Sequence, residues 1–452
     1  MGWSLKSTPP NGLSRVPSAL KAADAATLPL RFMMKLNLIR RLSFPKSKTT
    51  WFSPQSECGW QMSKYVCYRE VSLGSDILRR MIFEPGPARQ DPSAIQELNM
   101  RAVLTAIASQ PGATSADAAR TTGLSPATVS RLVQELTIRN LILEGERVRG
   151  KRGQPGVALF LNPDGAYSAG CQIGFGTCYL FIRSLGGKIL AEREFDISQC
   201  AYGHVADAVA RGFEHCRVAA RKNSADLVGL GVAVPVDFDK LCLMVMGEHQ
   251  APWDERAFRV ELEQRIEVPV STYSTGSAGA WGELAATPPP RPADYLYLFV
   301  DRFIQSGFLL DGRLWTAPQG RYGSLGRTRV GPKSKQQRLY DVVGGHAWMQ
   351  AVARGGGSRA EVTAHWLERA GEALATAVQT STDGLDLPLV VLDGSISGDL
   401  LDALAAELSS QLADFAWSSP PVIRRGLAGA LAPAKGAALR PLYSTFFSDE
   451  LA

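Results

Sequence analysis

Between Thr122 and Leu136 the chain reads TGLSPATVSRLVQEL, with apolar side chains at Val129, Leu132, Val133 and Leu136. That is the i, i+3, i+4, i+7 spacing of one helical face, and it predicts a helix. Ser125 stands at the N-cap and Pro126 at the first helical position, where a missing N–H costs nothing. The opposite face carries Ala127, Thr128, Ser130, Arg131 and Gln134, small and polar except for one long cation. Two helices are predicted upstream. AIQELNMRAVLTAIAS places Leu98, Ala102, Val103 and Ile107 on one face and ends at QPGA, and TSADAARTTG is capped by Thr114 or Ser115 and stopped by Gly123. After Asn140, LILEGERVRGKRGQPGVALFLN holds two β-prone runs around a basic, glycine-rich tip, which signals a hairpin.

Helix, helix, turn, helix, hairpin is the order of a winged helix-turn-helix, here over 92–160. Beyond Ala166 strands and helices alternate: a β-meander over SAGCQIGFGTCYLFIRSLGGKILAEREFDI, a helix at HVADAVARGFEHCRVAAR, and a buried strand at LVGLGVAVPVDF that ends in a loop. WDERAFRVELEQRI, VPVSTYS and TGSAGAWGELAAT read as helix, strand and small-residue helix. PPPRPA breaks the pattern, and strands at DYLYLFVDRFIQSGFLLDGRLW and LPLVVLDGSIS, a long helix at SRAEVTAHWLERAGEALATAVQTSTD and a terminal helix at GALAPAKGAALRPLY follow. The reading is α/β, with two lobes over 161–452. Residues 1–91, in contrast, lack periodicity and are broken by Pro, Ser, Lys and Arg, as in STPPNGLSRVPS. They are expected to form a disordered basic extension, with Met81 a candidate initiator just before the patterned region.

A length of 452 residues exceeds what one core organises, in keeping with more than one domain. The net charge of +6 suggests a polyanion partner until it is divided. Residues 1–90 carry 14 Lys and Arg against 5 Asp and Glu, and the remainder 35 against 38. Whole-chain charge is therefore weak evidence for nucleic-acid binding, and local features must carry the case. The cations Arg147, Arg149, Lys151 and Arg152 interleave with glycines at the hairpin tip, where they would reach phosphates or a minor groove. Seven cysteines without paired spacing suggest reduced thiols, and no apolar run is long enough for a membrane span, so a soluble cytoplasmic protein is expected.

In order along the chain, GLSPATVSRLVQEL, QIGFGT, GVAVPV, APWDERAF, GAWGEL, LLDGRLWTAPQGRYGSLG and VVLDGSIS together resemble the ROK family of sugar kinases and winged-helix repressors. The resemblance implies an N-terminal winged helix-turn-helix followed by a two-lobed, actin-like (ribonuclease H-like) ATPase-type domain. The family's kinases use a carboxylate base in a stretch like N-D-A-N, and the matching positions here are Ser274, Thr275, Gly276 and Ser277. Thr275 would replace the catalytic aspartate, and a threonine hydroxyl is too weak a base to deprotonate another alcohol. Gln172 stands for an acidic residue near the phosphates, and Asp301-Arg302-Phe303 replaces a glycine turn that would cradle them. Arg327 stands at the family's zinc-histidine position and no cysteine follows Cys242, so no zinc and no cofactor are expected.

The candidate effector cleft that the resemblance implies comprises Pro235, His249, Trp253, Ser274, Thr275, Ser324 and Arg327. Because His249, Ser324 and Arg327 depart from the family's sugar-contacting types, a sugar, a derivative or another small ligand is the candidate occupant. In the docking that a winged helix implies, Ser125 and Thr128 would bond DNA phosphates and Arg131 a guanine edge, with Ala127, Ser130 and Gln134 on the same face. The leading expectation is a DNA-binding transcriptional repressor with no catalytic residue, working as a homodimer on double-stranded operator DNA. Its rivals are an active ATP-dependent sugar kinase with an appended DNA-binding domain, and a scaffold whose lobes only dimerise.

Overall fold

The computed structural model describes residues 92–148, 156–197, 199, 201–247, 253–316, 324–382, 384–415 and 419–448. The extension read over 1–91, the hairpin-tip residues Arg149, Lys151 and Arg152, and His249 lie outside the described residues. The N-terminal helices form where the capping signals put them. Helix α1 (Pro92–Ser109) precedes α2 (Ser115–Thr122), whose capping box is complete: Asp117 N–H donates to Thr114 Oγ1 at 3.3 Å and Thr114 N–H donates to Asp117 Oδ2 at 2.8 Å. Gly123 ends α2 with φ 71, a left-handed turn that a side chain would strain, and α3 (Pro126–Ile138) starts three residues later. Strands β1 (Ile142–Val148) and β2 (Gly156–Leu161) pair antiparallel, as the hairpin reading requires. One expectation fails: Leu98 is 61% exposed, and the buried face of α1 is Met100, Val103, Leu104 and Ile107. Leu98 sits in the first two turns of α1, on the side away from the buried residues Met100, Val103, Leu104 and Ile107.

The lobes repeat one wiring. In the first, β3 (Tyr167–Ile173), β4 (Thr177–Ser184) and β5 (Ile189–Asp196) form the antiparallel meander. Helix α4 (Tyr202–Ala219) leads to β6 (Leu227–Val234), parallel to β3, and helices α5 (Phe238–Met246) and α6 (Glu255–Ile266) lead to β7 (Val270–Ser274), parallel to β6. Helix α7 (Thr275–Ala286) leaves this lobe. In the second, β8 (Tyr295–Val300), β9 (Ile304–Leu310) and β10 (Arg313–Leu314) form the meander. After the small ribbon of β11 (Arg329–Val330) and β12 (Gln337–Arg338) come helices α8 (Leu339–Val342), α9 (Gly345–Arg354) and α10 (Arg359–Thr382). Strand β13 (Leu389–Gly394) joins parallel to β8, and after α11 (Gly398–Ala413), β14 (Val422–Arg425) joins parallel to β13. Helix α12 (Ala432–Phe446) ends the series. The resulting strand orders, β5-β4-β3-β6-β7 and β10-β9-β8-β13-β14, are the same order twice. Helix α5 corrects the reading of a loop after the β6 strand, and α9, α11 and β14 had no counterpart in the sequence reading.

Each lobe's last helix crosses to the other lobe: α12 packs on β3 and β6 of the first sheet, and α7 on β8 and β9 of the second. The two helices also pack on each other, closely enough that a Cβ at Gly436 would overlap the Ala278 carbonyl and one at Gly282 the Ala432 carbonyl. The small-residue composition of both helices is thus a requirement of helix-to-backbone contact. Glu283 of α7 is fully buried and accepts from the Arg424 guanidinium and the N–H groups of Leu427 and Ala428 at 2.7–2.9 Å, tying α7 to the chain after β14. Toward its C-terminal end α12 contributes Leu442, and the chain just past it Phe447, to the core of the N-terminal three-helix unit. One helix therefore touches the first sheet, α7 and the N-terminal unit. Cys171, Cys178 and Cys216 are free and buried, whereas Cys242 is disulfide-bonded, which corrects the reading of reduced thiols throughout.

Candidate nucleic-acid interface and interlobe cleft

Helix α3 buries Val129, Leu132, Val133 and Leu136, and the same geometry turns Ala127, Ser130, Arg131 and Gln134 to solvent. Ser125 caps it: Thr128 N–H donates to Ser125 Oγ at 3.2 Å, and the two hydroxyls lie 2.8 Å apart. Arg131 Nη1 donates to Gln96 Oε1 at 3.5 Å, the outer limit of a hydrogen bond, and Gln96 in turn donates to Glu135 at 2.9 Å. The guanidinium is therefore held weakly on an exposed face. Arg147, near the end of β1, is exposed as well.

The described residues of the expected cleft gather around the start of β9. Pro235 is buried at the end of β6, and the next N–H, of Val236, donates to Gln305 Oε1 at 2.9 Å. Ser274 and Thr275 are buried: the Ser274 hydroxyl caps α7 by accepting from Ser277 N–H at 3.1 Å, and Thr275 Oγ1 has no hydrogen-bond partner. Ser324 precedes a short 3₁₀ turn, Leu325–Arg327, anchored by Leu325 N–H donating to Ser306 Oγ at 3.0 Å. Trp253 lies farther off, its ring against Phe238 and Phe258 at 5.0 and 4.9 Å.

Across the cleft, Arg327 of the second lobe donates twice to the Asp237 carboxylate, at 2.5 and 2.7 Å, and Lys240 adds a contact at 3.3 Å. The sequence offered both residues but no signal that they pair, because 90 positions separate them. Burial tends to raise the Asp237 carboxyl, but the Arg327 guanidinium outweighs it and holds the group below its ordinary value. A lowered carboxylate stabilises the folded chain above the ordinary Asp range and loses that contribution as pH falls through the lowered value. Asp237→Asn is therefore expected to cost about 1 kcal/mol at pH 7, discounted for the exposed Arg327, and progressively less below about pH 4. Thermal unfolding of both proteins across that range checks this, and an equal gap at all pH values would contradict it.

Where the resemblance implies a nucleotide, aromatic rings join the lobes. Phe175, in the turn after β3, packs on Phe303 at 5.0 Å and on Phe238 at 5.5 Å, and Phe303 packs on His346 at 5.1 Å. Beside Phe175 a cavity of about 540 Å³ is lined by Gln172, Thr177, Glu194, Asp301, Arg302 and Ser395. Asp301 accepts from Ser395 Oγ, and burial pushes its carboxyl above the ordinary value. The cavity wall thus carries two carboxyl groups, of Asp301 and Glu194, together with the Arg302 side chain and the Phe175 ring. Among the described residues no group of three or more His, Cys, Asp or Glu converges in a way that could hold a metal, and no helix is long and apolar enough to cross a membrane.

The MarR family profile matches residues 101–153, which include the helices α2 and α3 and the first strand of the hairpin. The chain is 26% identical over 366 residues to the uncharacterised protein y4fQ of Sinorhizobium fredii, covering 78% of this chain and 93% of that one. It is 24% identical over 278 residues to the DNA-binding transcriptional repressor Mlc of Escherichia coli, covering 60% of this chain and 66% of Mlc. Among solved structures, a ROK family transcriptional regulator described as a homologue of E. coli Mlc superposes with a TM-score of 0.60 at 18% identity, covering 77% of this chain and 99% of that one.

Proposed function

We propose, for a chain that carries a MarR-like segment and is similar in sequence and fold to ROK family regulators, that it is a DNA-binding transcriptional repressor. The observation that carries this reading is α3: a helix capped at Ser125, buried on one face, with a small polar face and one weakly held arginine turned to solvent. Residues 92–160 act as a winged helix-turn-helix, and 161–452 as an effector-sensing, dimerising body in the cytoplasm. In the complex Ser125 and Thr128 bond phosphates at the helix start, and Ala127 and Ser130 allow close approach. Gln134 and Arg131 face base edges, and Arg149, Lys151 and Arg152 follow the adjacent backbone. A homodimer supplies the second reading helix, because one winged helix makes few base contacts. Sequencing of DNA fragments bound by the full chain tests this. Near-palindromic sites with half-sites about 10 base pairs apart, or a multiple of that, are expected. A lack of enrichment over random fragments would refute it.

The sugar-kinase alternative is disfavoured by position and burial. In the reading that the resemblance implies, Thr275 stands where a carboxylate base would, its hydroxyl enclosed, and Phe175, Asp301 and Glu194 line the cavity expected to face the phosphates. Loss of a general base by itself forfeits about 10²-fold to 10⁴-fold in rate. Purified protein is expected to release no hexose-dependent ADP, and sugar-dependent turnover would overturn the assignment. The interlobe cleft around Pro235, Ser324 and Arg327, with Trp253 at its side and Ser274 and Thr275 in its wall, takes the small-molecule effector, a sugar or a derivative. Through α12, closure of that cleft reaches the core of the DNA-binding unit, so effector and operator affect each other's affinity, typically by about 1–3 kcal/mol.

A further inference from the structure

Arginines over much of this molecule find carboxylates. Arg217 holds Glu214 at 2.6 Å, Arg139 holds Glu135 at 2.7 Å, and Arg424 holds the buried Glu283 at 2.9 Å. Arg183 and Arg291 differ. Both are half-buried, and both line a cavity of about 350 Å³ between the N-terminal unit and the body. Its walls come from Ser109 at the end of α1, Leu161 of β2, and Leu439 and Tyr443 of α12. The only hydrogen bonds these two side chains make among the described residues run from the Nε groups to backbone carbonyls, Arg183 to Ser184 at 3.2 Å and Arg291 to Thr287 at 3.0 Å. Neither has a carboxylate within ion-pair range among the described residues, so among those residues the outer N–H groups of both guanidiniums have no counter-charge.

The cost of this arrangement shows in the neighbouring groups. Burial depresses the Arg183 pKa, and it raises the Tyr443 hydroxyl while both arginines pull that hydroxyl back down. An anion bound in this cavity would be drawn by both guanidinium charges. Guanidinium forks match tetrahedral oxyanions, and a phosphate group carries about −1.5 to −2 charges near pH 7, against −1 for a carboxylate. The charge of the pair therefore selects a phosphate dianion, and the leucines beside it suit an organic carrier.

We propose that the cavity between the N-terminal unit and the body is a binding site for a phosphate group, free or carried on a small organic molecule, held by Arg183, Arg291 and the Tyr443 hydroxyl. This site is separate from the interlobe cleft. Because its walls belong both to the N-terminal unit and to α12, an occupant fixes one against the other. That regulatory consequence rests on the DNA-binding reading, whereas binding itself does not, and the experiment reads binding alone.

The full chain is titrated with sodium phosphate, glucose 6-phosphate and glucose, at ionic strength matched with sodium chloride, and the thermal midpoint is followed. The midpoint is expected to rise with both phosphates and not with glucose. Half-saturation by glucose 6-phosphate at a tenfold lower concentration than by phosphate assigns a phosphomonoester, and equal or weaker response to it assigns free phosphate. Arg291→Gln is expected to raise the half-saturating concentration at least tenfold. Ser109→Asp, at the exposed end of α1, is expected to do the same by supplying a carboxylate of the protein's own, and it keeps the test open if the arginine variant does not fold. No rise over chloride, or half-saturation unchanged in both variants, overturns the proposal.

Discussion

Gly436→Ala is expected to destabilise the folded chain by about 3 kcal/mol or more, the upper end of what overpacking a core costs. The reason lies in the crossing of α7 and α12. A methyl group at 436 would overlap the backbone carbonyl of Ala278 and crowd the N–H of Gly282, and backbone cannot rotate away as the end of a side chain can. Relief requires α12 to move off α7, and α12 is also seated on β3 and β6 and enters the N-terminal core through Leu442. The displacement would therefore be felt in both lobes and in the three-helix unit. Urea unfolding of the variant beside Ser444→Ala, an exposed change in the same helix, checks this. A Gly436→Ala loss within about 1 kcal/mol of the control would mean that the helices part more easily than close packing allows.

Arg131→Ala is expected to weaken operator binding by about 1–3 kcal/mol, roughly 5-fold to 150-fold, and to relax preference at one base pair in each half-site. Its free-state partner, Gln96 at 3.5 Å, is lost at little cost when the guanidinium turns toward a base. Folding should hardly change, because the side chain is exposed and the core of α3 is formed by Val129, Leu132, Val133 and Leu136. A labelled operator fragment recovered from the bound-DNA sequencing gives the affinity, and a set of single-base variants of it gives the preference. Unchanged affinity would remove Arg131 from base reading. A loss that is equal at every sequence would assign it to phosphate.

By itself the sequence determined what is local. The caps at Thr114 and Ser125, the glycine stop at 123 and the helical spacing of Val129 to Leu136 are decided within a turn or two of chain, and the structure carries all of them. Alternation of strands and helices after Ala166 likewise showed two α/β lobes, because burial on one face imposes a period wherever the partner lies. Local pattern failed where an element's role depends on a distant partner. Leu98 fits the helical period yet is left exposed. The glycines of α7 and α12 read as a small-residue composition, and only the crossing of the lobes shows that they admit backbone. Glu283 read only as one position of a small-residue helix, and the turn after β14, more than 140 positions later, supplies N–H donors to its buried carboxylate. Tertiary structure alone decided that Arg327 meets Asp237, that Phe175 stands between the lobes, and that Arg183 and Arg291 share a cavity. Charge and shape act through space at a few ångströms, whereas the residues that supply them are spaced along the chain by the topology of two sheets, which no local periodicity records.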